Sequence, residues 1–402
     1  MKKYIFFVVG VMCTLLSHTA YAIDLNKSDA NIIGHVLEKK TGEHLPYMTV
    51  ALKGTTIGTM TDGTGHYFLK NLPEGNFVLE VSSVGYKTVR RNVTLKKGRT
   101  LEEDFEIEED AVALDGVVVT ANRNETARRL APTLVKVVTP KLFDMTNSHT
   151  LSQGLVFQPG VRVENDCQNC GYSQVRINGM DGKYTQILID SRPIFSALAG
   201  VYGLEQIPAN MIERVEVVRG GGSALFGSSA IAGTVNIITK EPLRNSGSFA
   251  HSISNFDGSG SFDNNTTLNL SLVSSDNKMG AYIYGQNRHR SAWDSNGDGF
   301  SELPKLKNQT VGINAYYRLN PYSKLNLEYH HMEEFRRGGN RFDLPPHIAE
   351  DANLNGSGEP GLVEQIEHSI NTGGLKFSAF SKDQKHSFNA YASAQHIVRD
   401  SY

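Results

Sequence analysis

Between residues 31 and 108, the chain alternates apolar and polar residues in short runs that are separated by turn-forming residues. Turns are expected at 61–65, Thr-Asp-Gly-Thr-Gly, and at 72–75, Leu-Pro-Glu-Gly, because Asp and Gly satisfy the local backbone and tolerate positive φ. Strands are predicted at 32–37, 49–53, 67–69, 77–83 and 87–95. This spacing predicts a small β-sandwich.

A second alternating pattern occupies the C-terminal part of the chain, and its runs are longer. In the run 311–319, odd positions hold Val, Ile, Ala, Tyr and Leu, whereas even positions hold Gly, Asn, Tyr and Arg. One face of such a strand suits lipid and the other suits a wet lumen, as in transmembrane β-barrels. Strands are predicted near 248–255, 266–274, 279–288, 310–319, 324–335, 367–380 and 386–397.

The connections between these predicted strands alternate in length. Short turns are predicted at 275–278, 320–323 and 381–385. Long connections are predicted at 289–309 and 336–366. Outer-membrane barrels show this alternation, with short periplasmic turns and long extracellular loops. Because about seven strands cannot close a plugged barrel of about 22 strands, we expect the chain to be the N-terminal part of a longer protein.

The segment between these two β-rich parts has a mixed α/β pattern. Helices are predicted at 139–145 and 149–158, and strands near 175–177, 187–189 and 212–218. A glycine-rich turn follows the last of these strands. A phosphate-binding loop would need a Lys-Ser/Thr pair after the glycines, and this turn lacks it.

The first 22 residues have a different character from the rest of the chain. Lysines precede an apolar run at 4–16, and the segment ends in the Ala-x-Ala pattern of a cleavage site. The run is shorter than the ~20 apolar residues of a spanning helix, which argues against a membrane anchor. We therefore predict a secretory signal peptide that is cleaved after Ala22, and we expect strands to provide any membrane span.

The charge balance excludes one class of partner. Lys and Arg together number 40 and Asp and Glu 42, which gives a formal charge of -2. Binding to a phosphate backbone depends on a basic excess. We therefore expect no nucleic-acid partner.

Two stretches resemble known protein families. The first resemblance is to the carboxypeptidase regulatory-like domain, an immunoglobulin-like module. It rests on Thr-Asp-Gly-Thr-Gly-His-Tyr-Phe at 61–68 and on Val-Gly-Tyr at 84–86. A later stretch, Arg-Gly-Gly-Gly-Ser-Ala-Leu-Phe-Gly followed by Asn-Ile-Ile-Thr-Lys, resembles the plug domain of the TonB-dependent outer-membrane receptors. The residues that carry this second resemblance are Arg219, Gly220, Gly222, Gly227 and Asn236. Gly221 stands where that family commonly has Pro, which should loosen the turn.

The resemblance implies a mainly β fold, with an α/β plug and a truncated transmembrane barrel, in the cell outer membrane. The expected parts are a signal peptide at 1–22, a regulatory-like β-sandwich at 29–108, a linker with a coupling segment at 109–123, the plug at 124–241 and the first barrel strands at 246–402.

A β-prone run follows an acidic stretch at 102–110, which we interpret as a solvated linker. Such a run can add as an extra strand to the sheet edge of a partner, or it can be an ordinary strand of the next domain. The resemblance implies the first role, that of a TonB box that pairs with the energy-coupling protein TonB in the periplasm. Its residues are Asp115, Gly116, Val117, Val118, Val119, Thr120 and Ala121.

The resemblance also implies import of a scarce nutrient chelate. Ferric siderophore is the default cargo, and haem and cobalamin are the alternatives. A surface adhesin or glycan-binding β protein is the hypothesis from another class, and it would need neither plug nor TonB box. We do not predict an enzyme, because the His-x-x-Glu pairs near residue 330 lie on a predicted strand, where residues three apart face opposite sides.

Cys167 and Cys170 form a single Cys-x-x-Cys motif. In an exported protein, such a pair favours a local disulfide. A soft-metal site is the alternative, and it would need ligands from elsewhere in the chain. We predict the disulfide.

Asp294, Asn296, Asp298 and Glu302 follow the spacing of the first part of a calcium-binding loop. Lys305 replaces the bidentate Glu expected at the end of such a loop. A turn rich in Asx and Gly residues is the alternative interpretation. A calcium ion here would order an extracellular loop, and the sequence suggests no other cofactor.

Overall fold

The computed structural model describes residues 30–83, 86–109, 118–119, 126–127, 135–167, 172–193, 207–222, 226–382 and 386–402. Along the chain, an N-terminal sandwich is followed by a mixed α/β domain and then by a seven-stranded antiparallel sheet. The mainly β fold expected from the sequence is therefore confirmed. Among the described residues, no helix is long and apolar enough to cross a membrane.

The sandwich contains eight strands: β1 Ala30–Glu38, β2 Thr49–Leu52, β3 Gly58–Met60, β4 His66–Leu72, β5 Gly75–Ser82, β6 Val89–Leu95, β7 Thr100–Glu102 and β8 Phe105–Ile107. One sheet joins β4, β1 and β7, with β8 also paired to β1, and the other has the order β3-β2-β5-β6. Side chains that alternate along the strands fill one buried cluster, which includes Ile32, Val50, Leu69 and Leu79. The sandwich thus buries its apolar face between two sheets.

The interpretation of 102–110 as a solvated linker is wrong for part of this segment. Strand β8 pairs in parallel with β1, and Phe105 and Ile107 are 0% and 1% exposed. The acidic composition concealed an apolar alternation, because the intervening acidic side chain lies on the outer face. Glu108 then binds Lys39 and Lys87 across the sheet edge, so this charge run is part of the sandwich.

The α/β domain includes the short helices α1 Pro140–Met145 and α2 Leu151–Leu155. Its strands are β9 Val118–Val119, β10 Thr126–Ala127, β11 Val135–Val138, β12 Val161–Cys167, β13 Tyr172–Ile177, β14 Thr185–Ile189, β15 Arg192–Pro193, β16 Ile212–Arg219 and β17 Gly233–Thr239. A five-stranded sheet has the order β11-β16-β17-β14-β15, while β12 and β13 form a hairpin. Helix α2 is shorter than the predicted 149–158, because the chain after it continues in tight turns.

The seven-stranded sheet, called the wall below, consists of β18 Ser246–Asn255, β19 Phe262–Val273, β20 Met279–Arg290, β21 Lys305–Asn320, β22 Ser323–Gly339, β23 Val363–Phe380 and β24 Ser387–Ser401. Each strand pairs with its neighbour in chain order, as predicted. The long connections are shorter than predicted, at 291–304 and 340–362, because the strands extend further towards them. The second of these connections contains helix α3, Pro346–Glu350.

The wall has two unlike faces, as the alternation predicted. Val311, Tyr317 and Leu319 are about half exposed on its outer face. Asn314 and Tyr316, from the same strand, are buried on its inner face. The edge with the long connections is called the loop edge, and the opposite edge is called the turn edge.

Candidate functional site

The α/β domain packs against the inner face of the wall, and the two share one hydrophobic cluster. Tyr282 and Tyr284 of β20 belong to the same buried cluster as Met211, Ile212 and Val215 of the domain. The tyrosines face inward because they occupy the even positions of β20. The wall therefore closes the core of the α/β domain, which makes this interface the candidate functional site.

Asn210 provides the densest polar contact at this interface. It lies in a 3-10 helix of one turn, Ala209–Met211, just before β16. Its side-chain amide donates to Asn269 Oδ1 at 2.9 Å and to the Gly285 carbonyl at 3.1 Å. Its own carbonyl accepts from Tyr282 Oη at 2.8 Å. One residue of the domain is thus bonded to two neighbouring strands of the wall.

A second set of polar contacts follows β17 towards the turn edge. The Asn314 amide donates to Thr239 Oγ1 at 3.0 Å and to the Lys240 carbonyl at 3.2 Å. Glu241 then pairs with Lys324, whose Nζ lies 3.1 and 3.0 Å from its two carboxylate oxygens. The positive charge of Lys324 lowers the pKa of Glu241, so this pair is ionised at neutral pH.

His149 makes a third contact, just before α2. Its Nε2 lies 3.0 Å from Ser252 Oγ of β18, and its carbonyl accepts from Gln286 Nε2 at 3.4 Å. Burial lowers the pKa of His149, and the nearby Arg288 acts in the same direction. The imidazole is therefore neutral at pH 7 and binds the wall by hydrogen bonding rather than by charge.

The inner face carries a charged group near the loop edge, called the wall cluster below. Arg288 donates to Asp263 at 3.0 Å from Nε and 2.5 Å from Nη2. Arg336 Nη2 donates to Glu334 Oε1 at 3.2 Å. Arg290 completes the group, and all five side chains are buried.

The glycine-rich motif forms the return from β16 to β17. Gly220 has φ 103°, and its N–H donates to the Ala232 carbonyl at 2.9 Å. The N–H of Gly222 donates to the Ala230 carbonyl at 2.8 Å, and Gly227 has φ 107°. The positive φ values explain the need for glycine at 220 and 227. Arg219 ends β16, at the start of this return.

Asn236 of the same motif joins two strand ends. Its Oδ1 accepts from the backbone N–H of Ser191 at 2.9 Å, and the side chain is buried. Next to it, Asp190 accepts from the backbone N–H and the hydroxyl of Thr239 at 3.1 and 2.7 Å. These bonds fix the turn after β14 to β17, the strand that leads into the contacts with the wall.

Comparisons with known proteins agree with this arrangement. The family described as TonB-dependent Receptor Plug Domain matches residues 127–234, and the CarboxypepD_reg-like domain matches residues 32–119. The chain contains a plug domain of the TonB-dependent receptor family. The α/β domain is its plug, and the wall packs against the plug as part of a barrel-like sheet.

Curated relatives and solved structures are also similar to parts of this chain. It is 35% identical over 176 residues to the vitamin B12 transporter BtuB of Vibrio vulnificus, covering 42% of this chain and 28% of the transporter. The BtuB of Photobacterium profundum is 36% identical over 133 residues, covering 32% of this chain and 21% of that one. The receptor chain therefore spans less than a third of the length of these relatives.

Two crystal structures share its fold. The siderophore receptor PirA from Acinetobacter baumannii superposes with a TM-score of 0.55 at 22% identity, covering 67% of this chain and 40% of that one. The ferric citrate transporter FecA, in its unliganded form, gives a TM-score of 0.54 at 16% identity and the same coverage. At these identities the likeness concerns the fold of the receptor and not its cargo.

Most of the predicted TonB box lies outside the described residues. Only Val118 and Val119 are described, as strand β9, and they pair antiparallel with Thr126 and Ala127. The match to the regulatory-like domain ends at residue 119, within this predicted box. The signal peptide at 1–22 also lies outside the described residues. The roles of both segments stay predictions.

The cysteine pair is described only in part. Cys167 is the last residue of β12, and Cys170 lies outside the described residues. The disulfide therefore stays a prediction.

The predicted calcium residues lie in the connection between β20 and β21. One carboxylate oxygen from each of Asp294, Asp298 and Glu302 lies within 4.8 Å of the others. Asn296 instead accepts from the backbone N–H of Asp298 at 2.9 Å, as in a simple Asx turn. Both oxygens of Asp294 likewise accept backbone N–H groups of the loop. The structure brings the carboxylates together and leaves both interpretations open.

Sequence analysis did not identify most of the residues at the plug–wall interface. Asn314 occupies a predicted inward position, so its polarity was a signal for it. Asn210 and His149 lie in irregular segments without a periodic pattern. Their contacts depend on how the plug docks, which alternation along a single strand does not encode.

Proposed function

We propose that this chain contributes the plug and first wall strands of a receptor that imports a small nutrient chelate across the outer membrane. The observation that carries this proposal is the docking of the plug on the inner face of the wall through the contacts of Asn210, Asn314 and His149. Hydrogen bonds between polar groups can be exchanged for bonds to water at a small net cost. Such an interface can therefore hold the plug and still release it when force is applied.

The predicted coupling step begins at β9. Among the described residues, its ladder with β10 consists of the pairs Val119 with Thr126 and Val118 with Ala127. Once released, residues 115–121 can add as an extended strand to a sheet edge of TonB. Backbone N–H and C=O groups make such pairing, and side chains add specificity. Tension applied there would reach the plug through the segment that joins β10 to β11.

The substitution Val118→Pro tests this role, because proline removes a backbone donor and fixes φ near -65°. We expect energy-dependent uptake to be abolished while ligand binding at the cell surface is kept. Val118→Ala is the matched control, which keeps the donor and should have a much smaller effect. Normal uptake by the proline variant would show that the segment is only a linker.

The proposed cargo is a ferric siderophore. The arginines of the wall cluster lie on the inner face of the wall, where they can attract a chelate that carries negative charge, as carboxylate and catecholate complexes of iron do. Cobalamin is the second candidate, because the relatives with 35 and 36% identity are vitamin B12 transporters. Haem remains the third alternative.

Growth assays distinguish these candidates. Cells that lack the gene should grow poorly with a ferric siderophore as the only iron source and normally when cobalamin is limiting. The reverse pattern would establish cobalamin as the cargo. Normal growth in both conditions, with loss of surface attachment, would support the adhesin hypothesis instead. The gene carrying Val118→Pro should behave like the deletion in whichever condition shows a defect.

A further inference from the structure

Three histidines lie together on the outer surface of the sandwich. His35 of β1 is directly opposite His66 of β4 in the antiparallel ladder. His44 lies in the connection after β1 and is opposite Leu37, two residues beyond His35 on the same face. The fold thus brings three imidazoles from separate positions in the chain to one patch, called the histidine patch below.

The spacing of these rings matches that of imidazoles around one metal ion. Their centroids are 5.1 Å apart for His35 and His44, 5.5 Å for His35 and His66, and 5.0 Å for His44 and His66. With Zn–N bonds of about 2.0–2.1 Å, the centroids of three tetrahedrally placed imidazoles lie about 5.2 Å apart. The ring centroids are at the required separation, but no choice of one nitrogen from each ring places all three within 4.8 Å of one another, so the rings must turn to point at a common centre.

His35 is oriented by a carboxylate, as is usual for a metal ligand. Asp104 Oδ1 lies 3.2 Å from His35 Nδ1 and also accepts the backbone N–H of His35 at 3.1 Å. A proton on Nδ1 leaves the lone pair on Nε2, which is the nitrogen available to a metal. The carboxylate also makes the imidazole a stronger ligand.

His66 is oriented in the same way by a hydroxyl. Thr64 Oγ1 donates to Asp62 Oδ1 at 2.7 Å and lies 3.1 Å from His66 Nδ1. This hydrogen bond from Thr64 is the main cause of the lowered pKa of Asp62, which is therefore ionised and can only accept. Because the hydroxyl proton points to Asp62, its oxygen accepts from Nδ1–H of His66. The lone pair of His66 is again on Nε2.

His44 is the adjustable member of the patch. Its side chain is exposed, and the rotation of an imidazole about its Cβ–Cγ bond has a broad, shallow energy profile. Its backbone is held against Gly65, which has φ 77° and where a Cβ would lie 2.8 Å from the Cβ of His44. The ring can therefore turn while its attachment point stays beside His66.

We propose that His35, His44 and His66 bind one divalent transition-metal ion, with zinc as the reference ion, through their Nε2 atoms. Three neutral nitrogen ligands suit zinc, copper or nickel and not calcium or magnesium, which prefer oxygen. The fourth position is left to water. Asp62 and Asp104 place negative charge behind two of the ligands, which favours a cation.

Zinc binding to the full chain in detergent, prepared without a histidine tag, tests this proposal. Cys167 and Cys170 are replaced by Ser in every preparation, and excess Ca²⁺ is present to occupy carboxylate sites. We expect one equivalent of Zn²⁺ to bind, and His35→Ala, His44→Ala and His66→Ala each to weaken it more than about tenfold. His386→Ala is the matched control, because the turn bonds of this exposed residue are made by its backbone.

Asp104, which orients His35, provides a second test that does not depend on removing a ligand. Asp104→Asn keeps all three imidazoles and should weaken zinc binding about 10- to 100-fold. Hydrogen exchange should show that the sandwich of this variant is still folded. Unchanged zinc affinity in the His44→Ala and His66→Ala variants would overturn the proposal.

Discussion

The sandwich and the wall are both antiparallel β-structures with alternating side chains, yet their polarity is reversed. In the sandwich, Leu79 of β5 points to the interior and is fully buried. In the wall, Leu327 of β22 is 52% exposed on the outer face, whereas Asn314 of β21 is buried. The same periodicity therefore produces opposite arrangements: the sandwich encloses apolar side chains between its two sheets, whereas the wall exposes apolar side chains on its outer face and turns polar ones towards the plug.

Strand length and connection length distinguish the two arrangements in the sequence. Strands of the sandwich have three to nine residues, while those of the wall have ten to eighteen. A strand tilted across a membrane needs about 9–11 residues, a length that every wall strand reaches and that, among the described strands of the sandwich, only β1 reaches. The variants below test whether the two units really have opposite interiors.

The largest expected effect is that of truncating a leucine in the sandwich. Leu79→Ala should lower the free energy of unfolding of the sandwich by about 2–5 kcal/mol, because it leaves a cavity in a closed core. Leu327→Ala is the matched change on the wall and should alter the stability of the wall by much less, because the side chain is half exposed. Hydrogen exchange measured by mass spectrometry on peptides from each unit would report both. Equal losses would contradict a reversed polarity.

A charge placed on the outer face of the wall should have a comparable or slightly smaller effect. Leu327→Lys should cost about 2–4 kcal/mol if the residue lies near the middle of the bilayer. Gln395→Lys is the matched control on the inner face of β24, because Gln395 is exposed and donates to Thr372 Oγ1. The measurements are the yield of folded protein in the outer membrane and its unfolding in lipid vesicles. If both variants insert equally well, the outer face of the wall does not meet lipid.

A substitution at the plug–wall interface should cost less free energy than one in the core of the sandwich or on the outer face of the wall. Asn210→Ala removes the side-chain bonds to Asn269 and Gly285, for an expected loss of about 1–3 kcal/mol in plug protection. Water can replace part of what is lost, because the position is only half-buried. Faster exchange in peptides covering 207–222, with unchanged exchange in the sandwich, is the expected pattern. A change confined to the sandwich would be inconsistent with docking through this residue.

The two units also differ in what their sequences could predict. The seven strands of the wall were predicted because long alternating runs leave little freedom of register. In the sandwich, the strands β3, β7 and β8 have only three residues each, which is too short for a periodic signal. Phe105 and Ile107 were hidden among acidic residues.

The site was predictable only where its residues follow a local rule. Gly220 and Gly227 were identified through their motif, and the structure supplies the physical reason in their positive φ values. The bonds of His149 and Asn210 to the wall join residues 59 to 137 positions apart in the chain. Such contacts depend on the docked arrangement of two folded units, which has no signature in either segment alone.

The smallest expected effect concerns the charged end of the sandwich, where Glu108 joins Lys39 and Lys87. Their Nζ atoms lie 2.7 and 2.6 Å from its two carboxylate oxygens. The hydrogen bond from Lys39 is the main cause, followed by that from Lys87, of the lowering of the pKa of Glu108 from 4.5 to about 2. Because its folded-state pKa is depressed, this carboxylate stabilises the sandwich above pH 4.5, and the contribution is lost as the pH falls towards 2.

Glu108→Gln should therefore destabilise the sandwich slightly at neutral pH, and the difference from the unmodified chain should shrink as the pH is lowered through this range. High salt should reduce the difference in the same way, because the charges of Glu108, Lys39 and Lys87 are exposed to solvent and are screened by ions. The measurement is hydrogen exchange in peptides from β1 and β8, corrected for the intrinsic exchange rate at each pH. Leu79→Ala should show neither dependence, because a cavity in an apolar core does not titrate. A difference for Glu108→Gln that persists at pH 2 and in high salt would mean that packing of this side chain, and not its charge, holds β8 to the sandwich.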